Sequence, residues 1–244
     1  MAEPNNQTRR QRLEAREESI IAAAHEEFVE NGLEGAKVAG IARRAGVAEG
    51  TLYLYFRNRN ALLAAVVGSF YARMTETAEA GILERPTTLD RLTFLARHHL
   101  ECCMEEWSIL ELAIPAFYRV SEYRESDFFE LNRAYVAVFD QVIREGANRG
   151  DISTALPLHV MRDLFYGTLE HSVRTYMVRG QNLEDEEAIE QLAEQVMIMV
   201  RPAFGVERNS DSAESRSDLT SLVKRMEKVT RRLEAGTTKK SRRS

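Results

Sequence analysis

The 244-residue sequence has few of the residues that mark secreted, membrane-spanning or strand-rich proteins. Its two cysteines, Cys102 and Cys103, are adjacent and poorly placed to pair with each other, which indicates thiols in a reducing compartment. No apolar run is long enough to cross a bilayer, and the polar stretch 1–16 does not read as a signal peptide. With five prolines and no useful alternating β pattern, we expect a helical, cytoplasmic protein that does not enter membranes.

Motifs of common enzyme and metal sites are also missing. The di-iron bundle pattern Glu-x-x-His fails at all five histidines, because the residue three positions earlier is never Glu. The sequence has no glycine-rich phosphate loop after a strand and no Gly-x-Ser-x-Gly turn. We therefore expect a protein that is not an enzyme and that carries no metal or other cofactor.

Charge is distributed unevenly along the chain. Residues 1–60 are neutral overall, residues 61–205 have a net charge of −10, and residues 206–244 have a net charge of +5. The first segment contains an arginine cluster, which consists of Arg9, Arg10, Arg12 and Arg16. This cluster predicts a flexible basic arm over residues 1–15 that can reach phosphates or a neighbouring groove. A solvated start of the chain fits the same residues equally well.

Residues 41–56 are the most informative segment, because they read as two short helices joined by a turn. Small and aliphatic residues share one face of the first helix, namely Val38, Ile41, Ala42 and Ala45. Gly46 follows where a left-handed residue must end that helix. In the second helix Leu52 and Phe56 face inward. The segment therefore predicts a helix-turn-helix that reads double-stranded DNA.

The other residues of this segment have groups that suit a duplex. Gly50, at the leading end of the second helix, lets the backbone approach the major groove. Three side chains can donate hydrogen bonds to phosphates: Thr51, Tyr53 and Tyr55. Five cations can neutralise phosphates: Lys37, Arg43, Arg44, Arg57 and Arg59. The alternative for the two tyrosines is that they cap a small helical core.

The segment from Ile20 to Leu63 resembles the DNA-binding domain of the TetR family of bacterial transcriptional repressors. The matching residues are Ile20, Ile21, Ala23, Ala24 and Phe28 before Asn31-Gly32, then Gly46-Val47, Gly50-Thr51-Leu52-Tyr53, Tyr55-Phe56 and Leu62. The resemblance implies phosphate contacts by Thr51, Tyr53, Tyr55 and Arg59, with Arg59 in place of the usual Lys. It also implies that Gly50 and its neighbour Glu49 lie over base edges.

Three further positions depart from the family pattern, and one of them is Asn60, which stands where the family often has Glu. Lys37 and Ala48 stand where the family commonly has Ser or Thr at a helix start. Each lost cap costs about 1 kcal/mol if nothing replaces it. Lys37 also places a cation beside a helix N-terminus, which is unfavourable unless a phosphate lies between them. We therefore expect Lys37 to contact DNA.

The rest of the chain predicts amphipathic helices. We expect them at 59–82, 88–104, 105–120, 123–148, 157–179 and 184–201. The predicted fold is all-α, with a three-helix, homeodomain-like domain over 16–63 and a ligand-binding and dimerisation bundle over 64–205. Residues 206–244 form a polar tail with a short heptad pattern at Leu219, Leu222, Met226, Val229 and Leu233 and a basic end at Lys239, Lys240, Arg242 and Arg243.

The last two predicted helices have apolar stripes that indicate a homodimer. The stripe residues are Val160, Leu164, Gly167, His171, Leu192 and Val196. Paired with their symmetry mates, these helices can form a four-helix seam. The resemblance implies the same interface, because TetR-like proteins dimerise through their last two helices.

The middle helices carry more aromatic bulk than a tight helical core requires, which predicts a ligand pocket. The candidate lining is Phe94, Trp107, Phe128, Tyr135, Phe165 and Tyr166, with polar groups from Arg97, His98 and Arg174. For any single aromatic, ordinary core packing is the competing interpretation. In the family, a small molecule bound here changes the spacing of the two DNA-reading heads.

The expected function is a repressor that a small apolar or amphipathic effector releases from its operator. The segment from Leu164 to Tyr176 is similar to TetR-type repressors of fatty-acid degradation that respond to long-chain acyl-CoA. A domain with a net charge of −10 suits equally a cationic aromatic compound of the kind sensed by multidrug repressors. A third interpretation is a helical adaptor that binds protein and has no salt-dependent affinity for DNA.

Overall fold

The computed structural model describes residues 4–117, 127–180 and 186–206, and these ranges contain helices but no strand. The helices are α1 Pro4–Gly35, α2 Val38–Arg44, α3 Glu49–Tyr55, α4 Arg59–Leu83, α5 Thr88–Glu105, α6 Trp107–Phe117, α7 Asp127–Arg149, α8 Leu158–Val178 and α9 Glu186–Phe204. The all-α prediction is confirmed. None of the described helices is long and apolar enough to span a bilayer. The predicted heptad and basic end of the tail lie outside the described residues.

Helices α1 to α3 and the first half of α4 share one apolar core. Its fully buried members include Ile20, Phe28, Ile41, Leu52 and Leu62. Gly46 has a φ of 65°, so it makes the left-handed turn between α2 and α3 that the sequence predicted. This turn sets α3 across α2 with Leu52 inward and the opposite side of α3 in solvent.

A buried carboxylate holds both ends of α2. The backbone N–H of Lys37 donates to Glu27 Oε1 at 3.2 Å, and Arg44 Nε donates to Glu27 Oε2 at 3.1 Å. Gly40 is required beside it, since a Cβ there would lie 2.8 Å from the carboxylate oxygens. Glu27 thus compensates for the missing side-chain cap at Lys37, whereas Ala48 has no side-chain cap.

The predicted basic arm is helical where the structure describes it. Helix α1 begins at Pro4 and continues to a break at Gly32, where φ is 66°. Arg59 of α4 contacts Leu33 at the far end of α1, whereas His25 lies beside Arg73 further along α4, so the two helices run antiparallel. Arg16 therefore lies about 25 Å along α1 from Leu33. The arginine cluster extends away from the end of α4 that the sequence analysis assigned to DNA.

Helices α4, α5, α7, α8 and α9 form a second core. Aromatic rings stack through it, with centroid distances of 4.8 Å between Phe139 and Phe165 and 6.2 Å between Phe139 and Phe204. Arg162 of α8 donates to both carboxylate oxygens of the buried Asp140 on α7, at 3.0 and 2.5 Å. This ion pair fixes α7 against α8 on one side of the bundle.

Helix α6 belongs to both cores. Ile109 and Ala113 are buried among residues of α1 and α4 in the N-terminal core, whereas Leu110 is buried in the bundle. The residue before α6, Glu106, lies at the junction of the two cores. The sequence analysis placed the domain boundary at residue 64, within the unbroken helix α4. Two helices, α4 and α6, therefore connect the N-terminal core to the bundle.

Candidate nucleic-acid interface and effector cavity

The solvent side of α3 presents Gly50 and Leu54, which lie opposite the buried Leu52. Leu54 is 84% exposed, so it contributes nothing to the protein core. Tyr53 and Thr51 flank these two residues, and Glu49 begins the helix. Leu54 was not among the DNA contacts predicted from the sequence. Its position four residues after Gly50 is the signal that could have identified it, because residues at i and i+4 share a helix face.

Of the five predicted cations, three extend into solvent and two contact helix α1. Lys37, Arg43 and Arg57 are exposed. The guanidinium of Arg44 instead contacts three carboxylates of α1, those of Glu26 at 3.1 Å, Glu27 at 3.1 Å and Glu30. Arg44 therefore holds α2 against α1, and its charge is neutralised within the protein.

Arg59 joins the end of α1 to the start of α4. Its Nη1 donates to the carbonyl oxygens of Leu33 at 2.8 Å and Glu34 at 2.7 Å. Asn58 caps α4, because its side chain accepts the N–H of Ala61 at 2.9 Å. Tyr55 is half-buried and packs against the N-terminal core. Tyr55 therefore supports the core, whereas Tyr53 is exposed and its contact with DNA stays a prediction.

A cavity of about 510 Å³ lies between α4, α5, α6, α7 and α8. Four predicted residues line it, namely Trp107, Tyr135, Tyr166 and Arg174. The other lining residues are Phe70, Tyr71, Met74, His99, Cys103, Leu110, Asn132, Val136, Gly167, Glu170, His171 and Val173. Because most of the wall is apolar and a few polar groups converge on it, the cavity has the character of a small-molecule site.

Four residues predicted for the ligand site lie elsewhere. Phe165 is fully buried on Phe139, and Phe94 lies under Arg85, whose Cζ is 4.1 Å from the ring centroid. Arg97 pairs on the surface with Glu101 at 2.6 Å, and His98 Nε2 lies 2.8 Å from Thr77 Oγ1. Successive residues of a helix point about 100° apart, so His99 faces the cavity when His98 does not. Phe128 belongs to α7, but its side chain lies outside the described residues.

The cavity wall contains ionisable groups that the sequence analysis did not select. Burial lowers the pKa of His99 to about 3, so its imidazole is neutral, and burial raises the pKa of the Cys103 thiol. Protein atoms around Glu170 also raise the pKa of its carboxyl group. Glu170 keeps contact with solvent, as do His171 and Arg174, so these three mark the mouth of the cavity.

Comparisons with known proteins decide the family. Residues 20–66 match the bacterial regulatory proteins of the tetR family, and residues 71–200 match the C-terminal region of YsiA-like protein. The chain belongs to the TetR family. It is therefore a DNA-binding transcriptional regulator rather than an enzyme, as the sequence predicted.

Named relatives of this TetR regulator include proteins of fatty-acid metabolism. The chain is 28% identical over 165 residues to the fatty acid metabolism regulator protein of Bacillus subtilis, covering 68% of this chain and 85% of that protein. The structure of FadR from Bacillus subtilis in complex with stearoyl-CoA is 27% identical, with a TM-score of 0.61 over 75% of this chain and 96% of that chain. FadR from Bacillus halodurans, at 24% identity and a TM-score of 0.63 over 76% of this chain and 94% of that chain, shares the fold.

The predicted dimer stripe of the TetR regulator lies mostly on the surface of α8. Leu164 is 43% exposed, Val178 at the end of the same face is 80% exposed, and Gly167 and His171 lie between them. Val160 is half-buried on this face. At His171 a groove joins this face of α8 to Leu192 of α9, which is also half-buried. The two helices therefore present one continuous surface.

Val196 does not belong to this surface. It is 1% exposed and packs in the bundle core. The sequence pattern assigned Val196 to the dimer stripe because α9 is apolar on two faces. One of these faces packs in the bundle core, and Val196 lies on that face. The exposed apolar face of α9 carries Met199 instead, seven residues after Leu192.

Glu106 connects the DNA-reading head to the wall of the cavity. Its Oε2 lies 2.7 Å from His25 Nε2 on α1, and its Oε1 accepts from Arg73 Nη2 on α4 at 2.7 Å. The next residue, Trp107, lines the cavity. Glu106 therefore lies between helix α1 and a residue of the cavity wall.

Proposed function

We propose that this TetR regulator is a homodimeric repressor that leaves its operator when a long-chain acyl-CoA enters the cavity. The observation that carries the proposal is the amphipathic cavity, with a largely apolar interior and a cation, Arg174, at its mouth. An acyl chain suits the interior, and the phosphates of CoA suit Arg174. The relative crystallised with stearoyl-CoA supports this choice of ligand.

Helices α4 and α6 provide the path from ligand to DNA. Each has one face on the cavity and another in the N-terminal core: Met74 and Val67 on α4, Leu110 and Ile109 on α6. A ligand drives release only as far as it prefers the conformation that does not bind DNA. A hundredfold loss of operator affinity requires about 2.7 kcal/mol of such coupling.

A second effector class is favoured by one specific observation. Glu170 places a carboxyl group at the cavity mouth, beside aromatic wall residues such as Trp107. A cationic aromatic compound can stack on such rings and place its charge near that carboxylate. Burial raises the pKa of Glu170, so its carboxyl group is less fully ionised at a given pH than that of an ordinary glutamate. This weakens the attraction to a cationic ligand.

Titration of the protein–operator complex tests the effector class. Acyl-CoAs of increasing chain length are expected to release the operator with increasing potency, because each added methylene buries more apolar surface in the cavity. Fluorescence anisotropy of a labelled operator measures the release. Free CoA and a cationic dye serve as controls. Release by the dye alone would assign the protein to the multidrug class. Release by neither the acyl-CoAs nor the dye would exclude both effector classes.

We infer that α3 enters the major groove with Gly50 and Leu54 toward the bases. Glu49 lies beside them, and an exposed leucine suits the methyl group of thymine. The proposed phosphate contacts are Lys37, Arg43, Thr51, Tyr53, Tyr55 and Arg57. Arg59 joins them if a phosphate replaces the carbonyl oxygens that it binds in the free protein. Arg44 is left out of the set because α1 already neutralises it.

Alanine substitutions at Arg43 and Leu54 are expected to weaken DNA binding in different ways. Arg43→Ala should lower affinity for all sequences alike and reduce the salt slope by about one unit, because one phosphate contact is lost. Leu54→Ala should leave the slope intact and change the preference at one base pair by about 1 kcal/mol or more. Anisotropy at several salt concentrations with a set of mutated operators measures both.

Arg44→Ala is the matched control for Arg43→Ala. Since Arg44 pairs with α1 in the free protein, its loss should lower the melting temperature of the DNA-reading head, whereas Arg43→Ala should not. If Arg44→Ala instead leaves stability unchanged and reduces the salt slope, Arg44 contacts phosphate and its assignment here is reversed.

A further inference from the structure

The cavity wall contains a buried hydroxyl group that the described protein residues do not satisfy. Tyr166 is 6% exposed, and its phenol oxygen is shielded from solvent and has no hydrogen-bond partner among the described residues. The neighbouring hydroxyl of Tyr135 approaches the Tyr166 oxygen as a donor, so it does not accept the Tyr166 proton. Burial of an unpaired hydroxyl is unfavourable. Its presence in the wall of an effector cavity points to a partner that arrives with the ligand.

The surroundings of Tyr166 show which kind of partner it needs. The Tyr135 hydroxyl lies 3.3 Å from His99 Nδ1, and His99 Nε2 lies 3.6 Å from Cys103 Sγ. With the imidazole proton on Nε2 and directed at the sulfur, Nδ1 accepts the proton of Tyr135. Tyr135 thus acts as a donor to its neighbours and leaves the proton of Tyr166 without an acceptor. Burial raises the pKa of Tyr166, so its phenol stays protonated and offers a donor.

Tyr166 lies between the mouth and the interior of the cavity. It is eight residues before Arg174 on α8, which corresponds to about 12 Å along the helix. Gly167 and Glu170 line the cavity between them. A long ligand whose anionic head binds Arg174 therefore brings its middle portion, and not its end, past the Tyr166 hydroxyl.

We propose that Tyr166 donates a hydrogen bond to a carbonyl oxygen in the middle of the effector and thereby selects for it. In an acyl-CoA the group at this position is the thioester carbonyl. The choice of acyl-CoA as the ligand rests on the proposed function. Tyr166 distinguishes a thioester from an otherwise identical apolar chain. A ligand without an acceptor leaves the hydroxyl buried and unpaired, as in the free protein, and binds more weakly.

The test compares palmitoyl-CoA with S-hexadecyl-CoA, a thioether in which a methylene replaces the carbonyl. Wild-type protein is expected to bind the thioester about five- to tenfold more tightly, the range of one hydrogen bond to a neutral group. Tyr166→Phe should bind both compounds alike, with the affinity that wild type has for the thioether. Isothermal titration calorimetry on the full-length dimer measures all four dissociation constants.

Two further measurements separate this role from a structural one. Ligand-free Tyr166→Phe should melt no lower than wild type, because the hydroxyl proton it loses has no acceptor among the residues that the structure describes. Tyr71→Phe, a second cavity tyrosine, should keep the preference for the thioester. A preference that survives in Tyr166→Phe, or that Tyr71→Phe also abolishes, would overturn the proposal.

The outcomes also distinguish the inference from the proposed function. Equal binding of both compounds by wild-type protein overturns the role of Tyr166 and leaves the acyl-CoA assignment standing. If wild-type protein binds neither compound, the acyl-CoA assignment fails, and the thioester as the partner of Tyr166 fails with it.

Discussion

Replacement of Leu164 by Asp is expected to convert the protein to a monomer and to weaken operator binding at least about a hundredfold. Leu164 lies in the middle of the exposed stripe on α8, so a charge there is buried without a partner when two copies meet. A monomer engages one half-site and loses the gain from bivalent binding, which is about 10² to 10⁴ in affinity. Analytical ultracentrifugation and operator anisotropy measure the two effects.

Two matched variants show whether the effect is specific to the interface. Leu83→Asp changes an equally apolar, exposed residue at the end of α4 and should leave the dimer intact. Val196→Asp places the charge in the bundle core and should unfold the domain rather than produce a folded monomer. A Leu164→Asp protein that still sediments as a dimer would place the interface elsewhere.

Removal of the Glu106 carboxylate is expected to uncouple the effector from DNA. Glu106 holds His25 of the DNA-reading head next to Trp107 of the cavity wall. In Glu106→Ala the cavity and α3 are untouched, so effector affinity and operator affinity should each change less than about threefold. The effector-induced loss of operator affinity should fall from about a hundredfold to less than tenfold, a loss of more than about half of the coupling free energy.

The control for this variant is the preceding residue. Glu105 is also a glutamate at the end of α5, but its side chain is exposed. Glu105→Ala should keep full release, and Glu106→Gln should give an intermediate value, since an amide keeps the shape but not the charge. Operator titrations at zero and saturating palmitoyl-CoA supply the numbers. Full release by Glu106→Ala would show that the signal travels through α4 and α6 packing alone.

The helices and the family were open to prediction because they depend on local patterns. The apolar spacing along α4 to α9 predicted those helices to within a few residues at most of their ends. Gly46 identified the turn of the helix-turn-helix, because its left-handed backbone favours glycine. The ordered residues from Ile20 to Leu62 identified the TetR family, which the comparisons confirm.

The candidate sites were only partly predictable, because neighbouring residues of one type have different surroundings. Arg43 is exposed while Arg44 meets three carboxylates brought from α1. His99 lines the cavity while His98 bonds to α4. Sequence spacing gives the angle between two side chains around a helix axis. It does not show which of the two side chains faces a cavity or a partner helix.

The sequence by itself therefore determined the class of this protein: a helical TetR regulator with a DNA-reading head. These features follow from short-range rules of helix spacing and turn geometry. Only the tertiary structure decided that Glu27 supports α2, that Glu106 joins the head to the cavity, and that the proton of Tyr166 finds no acceptor among the described residues of the cavity wall. Each of these depends on side chains far apart in the chain, whose contacts are set by how the helices pack against one another.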